Sequence, residues 1–348
     1  MMNHNSTRSF RRNSENMKHH GKILVVRGGA IGDFILTLPV FAALRRQFPE
    51  ARLEVLGYPH IARLALAGGL VDEVCSIDAR TLAGFFARDG QLDAGLSEYF
   101  SGFSVIVSYL FDPDGIFQEN VARCSKVQFI AGPHRPEERS SLHETEVLLK
   151  PLERLAVFDA DPVPRLKVEQ ASSPSACCAE SNAAHETIGS SRKDAQDARP
   201  TVALHPGSGS ERKNWPEENW MRLIQHLQTA TKFNFLMAGG EAELERLRRL
   251  SAVFHPDRLQ LAQCLPLFEL AWRLQRCRGF IGHDSGITHL AAAAGLPVLV
   301  FWGEANETVW RPRAERVTVL RSPEGLQGLS VERVIEELEL FLPKEETS

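Results

Sequence analysis

The sequence predicts an α/β protein built from two doubly wound halves. Short, continuous apolar runs alternate with segments of helical periodicity, the pattern of parallel strands buried on both faces. The alternation breaks once, at residues 170–200, where Ala, Ser, Gln, Asn, Glu and Asp displace large apolar side chains and mark a flexible linker. It then starts again, so two sheets are expected to face a central cleft, where bilobal α/β enzymes commonly bind ligands.

Residues 1–21 are polar, lack the apolar stretch of a secretory signal and read as a disordered tail. Arg8, Arg11, Arg12 and Lys18 against Glu15 would let that tail touch an anionic membrane surface. The first half, residues 22–169, opens with the buried strand 22–27. Gly28-Gly29-Ala30-Ile31-Gly32-Asp33 then turns into an apolar helix that runs towards Phe48. The glycine spacing is not Gly-x-Gly-x-x-Gly, which disfavours a nicotinamide cofactor. Further strands are expected at 53–56, 74–77, 105–109 and 127–130, with 165–168 as the last of this sheet. Asp112-Pro113-Asp114 reads as a turn rather than a metal-binding pair.

The second half, residues 201–348, offers strands at 201–204, 234–237, 259–261, 279–282 and 298–302 and helices at 216–229, 241–250, 267–275 and 331–341. Trp220, Leu223, Ile224 and Leu227 share one face of the first of these helices. Ser330 caps the last, whose Val331, Val334, Ile335, Leu338 and Phe341 form an apolar stripe.

A chain of 348 residues with 43% hydrophobic and 24% charged side chains suits two soluble globular domains. A net charge of -4 argues against nucleic acid as a partner. The six cysteines show neither a Cys-x-x-Cys pair nor a His-linked zinc spacing, which points to a reduced cytoplasmic setting. The adjacent Cys177 and Cys178 read as free thiols. No run approaches the roughly 18 apolar residues of a spanning helix, so membrane contact would be peripheral.

Two polar loops at strand ends carry chemistry. Gly282-His283-Asp284-Ser285-Gly286-Ile287-Thr288-His289 leads from a buried strand into an Ala-rich helix that Gly295 stops. A first turn of this kind presents free N–H groups and a positive dipole end to an anion. His205-Pro206-Gly207-Ser208-Gly209-Ser210-Glu211-Arg212-Lys213-Asn214-Trp215-Pro216 supplies close backbone approach, hydroxyl donors and the mobile charge of Lys213, with Pro216 as the first helical residue. On one sheet the two loops make a diphosphate cradle. Taken singly, Asp284 or Ser285 equally fits a helix cap, and so does Asp33.

These stretches, with Gly32-Asp33-Phe34-Ile35-Leu36-Thr37-Leu38-Pro39, resemble the motifs of glycosyltransferase family 9, the ADP-heptose:lipopolysaccharide heptosyltransferases. The resemblance implies a GT-B architecture of two Rossmann-like domains and an inverting transfer of heptose from ADP-heptose to a lipopolysaccharide core or other glycolipid acceptor. It implies no metal and no cofactor, and places the protein in the cytoplasm, on the inner face of the membrane. By the same resemblance Asp33 is the catalytic base, and Ser208, Lys213, Ser285, Gly286 and His289 hold the donor diphosphate. Asp284 orients the loop or the sugar, Glu243 meets the ribose and Leu265 the base. The stretch Ser108-Tyr109-Leu110-Phe111-Asp112-Pro113-Asp114-Gly115 departs from the family pattern on the acceptor side. A GT-B enzyme using a UDP-sugar, as transferase or epimerase, and a nucleotide-binding module without activity are the competing readings.

Overall fold

The computed structural model describes residues 21–169 and 199–342. The first part holds strands β1 (Lys22–Arg27), β2 (Arg52–Gly57), β3 (Glu73–Ser76), β4 (Val105–Ser108) and β5 (Gln128–Ala131). Between and after them lie helices α1 (Ile31–Gln47), α2 (Pro59–Ala67), α3 (Ala94–Ser101), α4 (Ile116–Cys124) and α5 (Glu144–Leu149). The second part contains β6 (Thr201–His205), β7 (Asn234–Gly239), β8 (Leu259–Gln263), β9 (Gly279–His283), β10 (Val298–Phe301) and β11 (Val317–Leu320). Its helices are α6 (Glu217–Ala230), α7 (Leu244–Ser251), α8 (Leu267–Leu274), α9 (Gly286–Ala293), α10 (Glu307–Trp310) and α11 (Val331–Phe341).

Both sheets are parallel throughout, in the orders β3-β2-β1-β4-β5 and β11-β10-β9-β6-β7-β8. The strand order reverses between β1 and β4 in the first and between β6 and β9 in the second. These are the switch points at which adjacent loops diverge and leave a crevice at the strands' carboxyl ends. The strands at these points read as uninterrupted apolar runs because helices cover both faces; Leu24, Val25 and Val26 of β1 are fully buried, as are Phe280 and Ile281 of β9.

The two-sheet α/β architecture is as the sequence predicts, with three local differences. Residues 165–168 form no strand. The Leu166 N–H instead donates to the Ala293 carbonyl at 2.7 Å, and the Val168 N–H donates to the Gln275 side chain at 3.2 Å, so this segment lies against the second sheet's helices. Pro216 precedes α6 as its cap rather than opening it. The edge strand β11 has no counterpart in the sequence reading. Most of the expected linker, and nearly all of the expected tail with them, lie outside the described residues, as do Cys177 and Cys178.

The halves meet through α1 and α9. A single apolar cluster runs across the contact and includes Phe34, Leu38 and Phe41 from one side and Leu290, Ala291 and Trp302 from the other. Polar ties frame it: Arg313 pairs with Glu146 at 3.2 Å, and a ring nitrogen of His143 lies 2.8 Å from the Arg311 carbonyl. At the centre the backbones come close. A Cβ on Gly286 would stand 2.8 Å from the Ile31 Cβ and 2.9 Å from the Gly32 nitrogen. Gly286→Ala therefore tests the contact. Alanine favours a helix over glycine by up to about 1 kcal/mol, whereas overpacking against backbone costs about 1–3 kcal/mol. We expect a net loss of stability in chemical unfolding; a gain would show that the two helices separate freely.

Candidate functional site

The site is assembled from the loops that leave β1, β6 and β9. After β9, Ser285 caps α9, its hydroxyl accepting from the Thr288 N–H at 3.3 Å, while the Thr288 hydroxyl donates to the His283 carbonyl. The N–H groups of Gly286 and Ile287 have no partner one turn earlier in the helix, so this first turn keeps donors for an anion. Beside it, the Lys213 ammonium donates to Asp284 Oδ2 at 2.8 Å; Lys213 is 48% exposed and Asp284 only 11%.

The loop after β6 is held from below by groups that carry their hydrogen bonds inside the protein. His283 is fully buried: its Nε2 accepts from the Trp215 N–H at 2.8 Å, so the proton sits on Nδ1, which faces the Gly207 carbonyl at 3.2 Å. Burial pushes this imidazole down to about 3, and it stays neutral. The Glu243 carboxylate accepts from the Gly209 N–H at 3.2 Å and the Gly240 N–H at 2.9 Å. A Cβ at Gly207 would fall 2.2 Å from Glu243 Cγ, which explains why glycine stands there. Arg246 donates to the Pro206 carbonyl and pairs with Glu211, closing the loop's outer side. His205 is buried with no partner at Nδ1, and burial lowers its pKa.

After β1, Asp33 lies in the first turn of α1. Its Oδ2 accepts from the Ala30 N–H at 2.9 Å, so one oxygen caps the helix. Its main-chain carbonyl accepts from the Arg27 guanidinium at 3.1 Å and from the Thr37 hydroxyl at 2.8 Å. His289 stands between the two halves: a Cβ on Gly32 would lie 3.6 Å from its ring, and its proton affinity, lowered chiefly by burial, feels Asp284, Asp33 and Lys213 in that order. A cleft of about 590 Å³ opens over this junction. Gly29 to Gly32, Tyr58 and His60 line one side, and His205, Ser208, Glu243, Leu265, Ser285 and Gly286 the other. Ala262, Leu267 and Leu270 make its apolar end beside Leu265.

The structure thus brings Asp33, Ser208, Lys213, Glu243, Leu265, Asp284, Ser285, Gly286 and His289 to one junction. Sequence reasoning passed over His283, His205, Tyr58, His60 and Arg27. His283 and His205 each close a buried strand, β9 and β6, and a buried strand ending in histidine was the available signal.

The sequence model of glycosyltransferase family 9 (heptosyltransferase) matches residues 148–337, more than half of the chain. The chain belongs to glycosyltransferase family 9. The matched range contains the β6 and β9 loops; the Asp33 motif precedes it. Lipopolysaccharide heptosyltransferase 1 of Pseudomonas aeruginosa is 34% identical over 116 residues, which is 32% of this chain and 31% of that protein. The chain therefore spans about a third of that relative. Among solved structures, the family 9 glycosyl transferase of Veillonella parvula superposes with a TM-score of 0.72 at 16% identity, covering 93% of this chain and 97% of its own. The Escherichia coli heptosyltransferase WaaC with ADP gives a TM-score of 0.64 at 16% identity over 92% and 99%. The fold is accordingly GT-B, two Rossmann-like sheets about a central cleft.

This family 9 site carries a titration test. His283 at about 3 and His143 at about 4 are both lowered chiefly by burial, from an ordinary 6.5. The unfolded chain takes up these protons below about pH 6.5 and the folded chain does not. Their stabilisation is whole above pH 6.5 and is lost as pH falls towards 4, by about 1.4 kcal/mol per pH unit for each proton. Urea unfolding at stepped pH should show this slope, and His283→Asn should remove one proton's share. An unchanged slope in the variant would place the proton uptake elsewhere.

Proposed function

We propose that the protein is an inverting glycosyltransferase that moves heptose from ADP-heptose to the core sugar of a lipopolysaccharide acceptor. Family membership supports glycosyl transfer; the names of the relatives support the sugar, the nucleotide and the acceptor. The observation that supports the reading is the meeting of the first turns of α1 and α9, one carrying the Asp33 carboxylate and the other free backbone N–H groups.

On this reading the acceptor hydroxyl attacks the anomeric carbon of the donor from the face opposite the diphosphate. The new C–O bond forms as the bond to the phosphate oxygen breaks, and configuration inverts. Asp33 takes the hydroxyl proton through the oxygen that is not engaged in capping Ala30. The charge that develops on the leaving diphosphate is met by the free amides of α9's first turn, the Ser208 and Ser285 hydroxyls and Lys213. His289, neutral and buried at the junction, offers a donor without adding a charge. Glu243 shapes the loop that meets the ribose, and the apolar end around Leu265 takes the adenine. Asp284, released by Lys213, orients the sugar. The acceptor lies over the first sheet, and the enzyme works in the cytoplasm at the inner membrane face; no helix among the described residues is long and apolar enough to cross a membrane.

Asp33→Asn is expected to keep ADP affinity and to lower kcat by about 10²–10⁴-fold, the range of a lost general base. Lys213→Ala is expected to weaken ADP binding by about 1.5–3 kcal/mol, the worth of a hydrogen bond to a charged group. Titration calorimetry with ADP, UDP and their sugar conjugates, beside a transfer assay, reads both. Tighter binding of UDP would overturn the donor assignment, and normal turnover in the Asn variant would remove Asp33 from the base role.

A further inference from the structure

Beneath Asp33 lies a charged pair that the transfer step described above does not use. Arg27, at the carboxyl end of β1, is 2% exposed. Its guanidinium donates to the His134 carbonyl at 2.8 Å and to the Asp33 carbonyl at 3.1 Å, and its Nε has no partner. Glu144, the first residue of α5, is wholly buried. Its Oε1 lies 3.7 Å from the Arg27 guanidinium, too far for a hydrogen bond, and neither carboxylate oxygen has a hydrogen-bond partner. A buried carboxylate with no hydrogen bond is costly, and an apolar side chain of similar volume would fill the space at no such cost. Glu144 is therefore not holding Arg27 in place by bonding; what it supplies there is charge.

We propose that Glu144 is a positioning residue for the transfer step: its negative charge matches Arg27 and thereby lets Asp33 accept the acceptor's proton. The proposal rests on the reading of Asp33 as the base. When Asp33 is protonated, one of the two carboxylate charges that Arg27 feels disappears. Without Glu144 that would leave a buried cation unmatched at the moment of transfer, which raises the barrier. With Glu144 ionised the cation stays matched through the step. The charged and titratable groups that face Glu144 are Arg27 from β1, Asp33 from α1, Arg135 from the loop after β5 and Tyr109 just after β4. Burial, opposed by Arg27 and Arg135 and reinforced by Asp33, pushes the Glu144 carboxyl up to about 7. Its charge therefore appears across the neutral range, and activity should rise with it.

The test is the pH profile of kcat at saturating ADP-heptose and acceptor, for the full chain and for Glu144→Gln. The wild-type profile is expected to rise through an inflection near pH 7. The Gln variant should lose that inflection and fall about tenfold at the alkaline plateau, with the donor KM and ADP affinity unchanged. A Gln variant with the wild-type inflection and plateau overturns the proposal, and so does a wild-type profile that is flat between about pH 6 and 8. Should the Gln variant fail to fold, Glu144→Asp replaces it: an inflection moved from its wild-type position supports the proposal and an unmoved one overturns it. Asp33→Asn run alongside separates the two readings. A dead Asn variant beside a normal Gln variant removes only Glu144; an active Asn variant removes the base assignment itself.

Discussion

The close approach of α1 and α9 is the constraint on which the site depends. Two glycines, Gly32 and Gly286, let the backbones touch where any Cβ on Gly286 would collide. The contact points two helix N-termini into one cleft, and two positive dipole ends in proximity are unfavourable unless negative charge lies between them. The chain settles only half of this demand. Asp33 places a carboxylate at the start of α1 and bonds the Ala30 N–H, whereas α9 is capped by the neutral Ser285. The residual attraction for an anion is thus concentrated on α9, on the side of the second sheet. On the proposed reading, that asymmetry separates a donor side from an acceptor side in an otherwise similar pair of sheets.

A loop that approaches an anion through its backbone must be held by groups that do not themselves compete for the anion. On the proposed reading the β6 loop is one of these, and its partners are buried. Glu243 and His283 together engage Gly207, Gly209 and Trp215, and His283 does so as a neutral imidazole with one donor and one acceptor in use. A lysine in its place would carry no acceptor for the Trp215 N–H, and a carboxylate no donor for the Gly207 carbonyl. Trp215 in turn packs against Trp220 and Phe301 and donates its indole N–H to the Leu329 carbonyl, so the loop is fixed to the core of the second sheet.

How much of this was legible in the sequence follows from how local each signal is. Parallel strands announce themselves as short apolar runs, and α11 was readable to the residue because Ser330 and the 331–341 stripe lie in one stretch. Residues 165–168 have the composition of a strand, yet their backbone hydrogen bonds go to Ala293 and Gln275 across the junction, a tertiary choice that periodicity cannot carry. The edge strand β11 was missed because only four residues, Val317 to Leu320, flanked by Arg316 and Arg321, carry its pattern. The motif residues could be singled out for the same reason as α11, since each sits on a single strand-to-helix turn. Arg27, Glu144, His205 and His283 draw their significance from partners tens of residues away, and a buried glutamate with no hydrogen bond looks in sequence like any first-turn acidic residue.

The Lys213–Asp284 pair shows how a site can be preorganised and still open. An ion pair with a half-exposed lysine is worth about 0–1 kcal/mol, because solvent already screens it. On the proposed reading, an arriving diphosphate carries more charge than one carboxylate and meets the lysine beside the free amides of α9, so exchange of partner is downhill. On the same reading the exchange frees Asp284, 11% exposed at the mouth of β9, to face the sugar. Before binding, Asp284 keeps Lys213 from wandering and Lys213 keeps Asp284 from standing unmatched. After binding, each is presented to a different part of the donor. On the proposed reading the pair holds the donor's place, and the exposure of Lys213 leaves it little to contribute to stability.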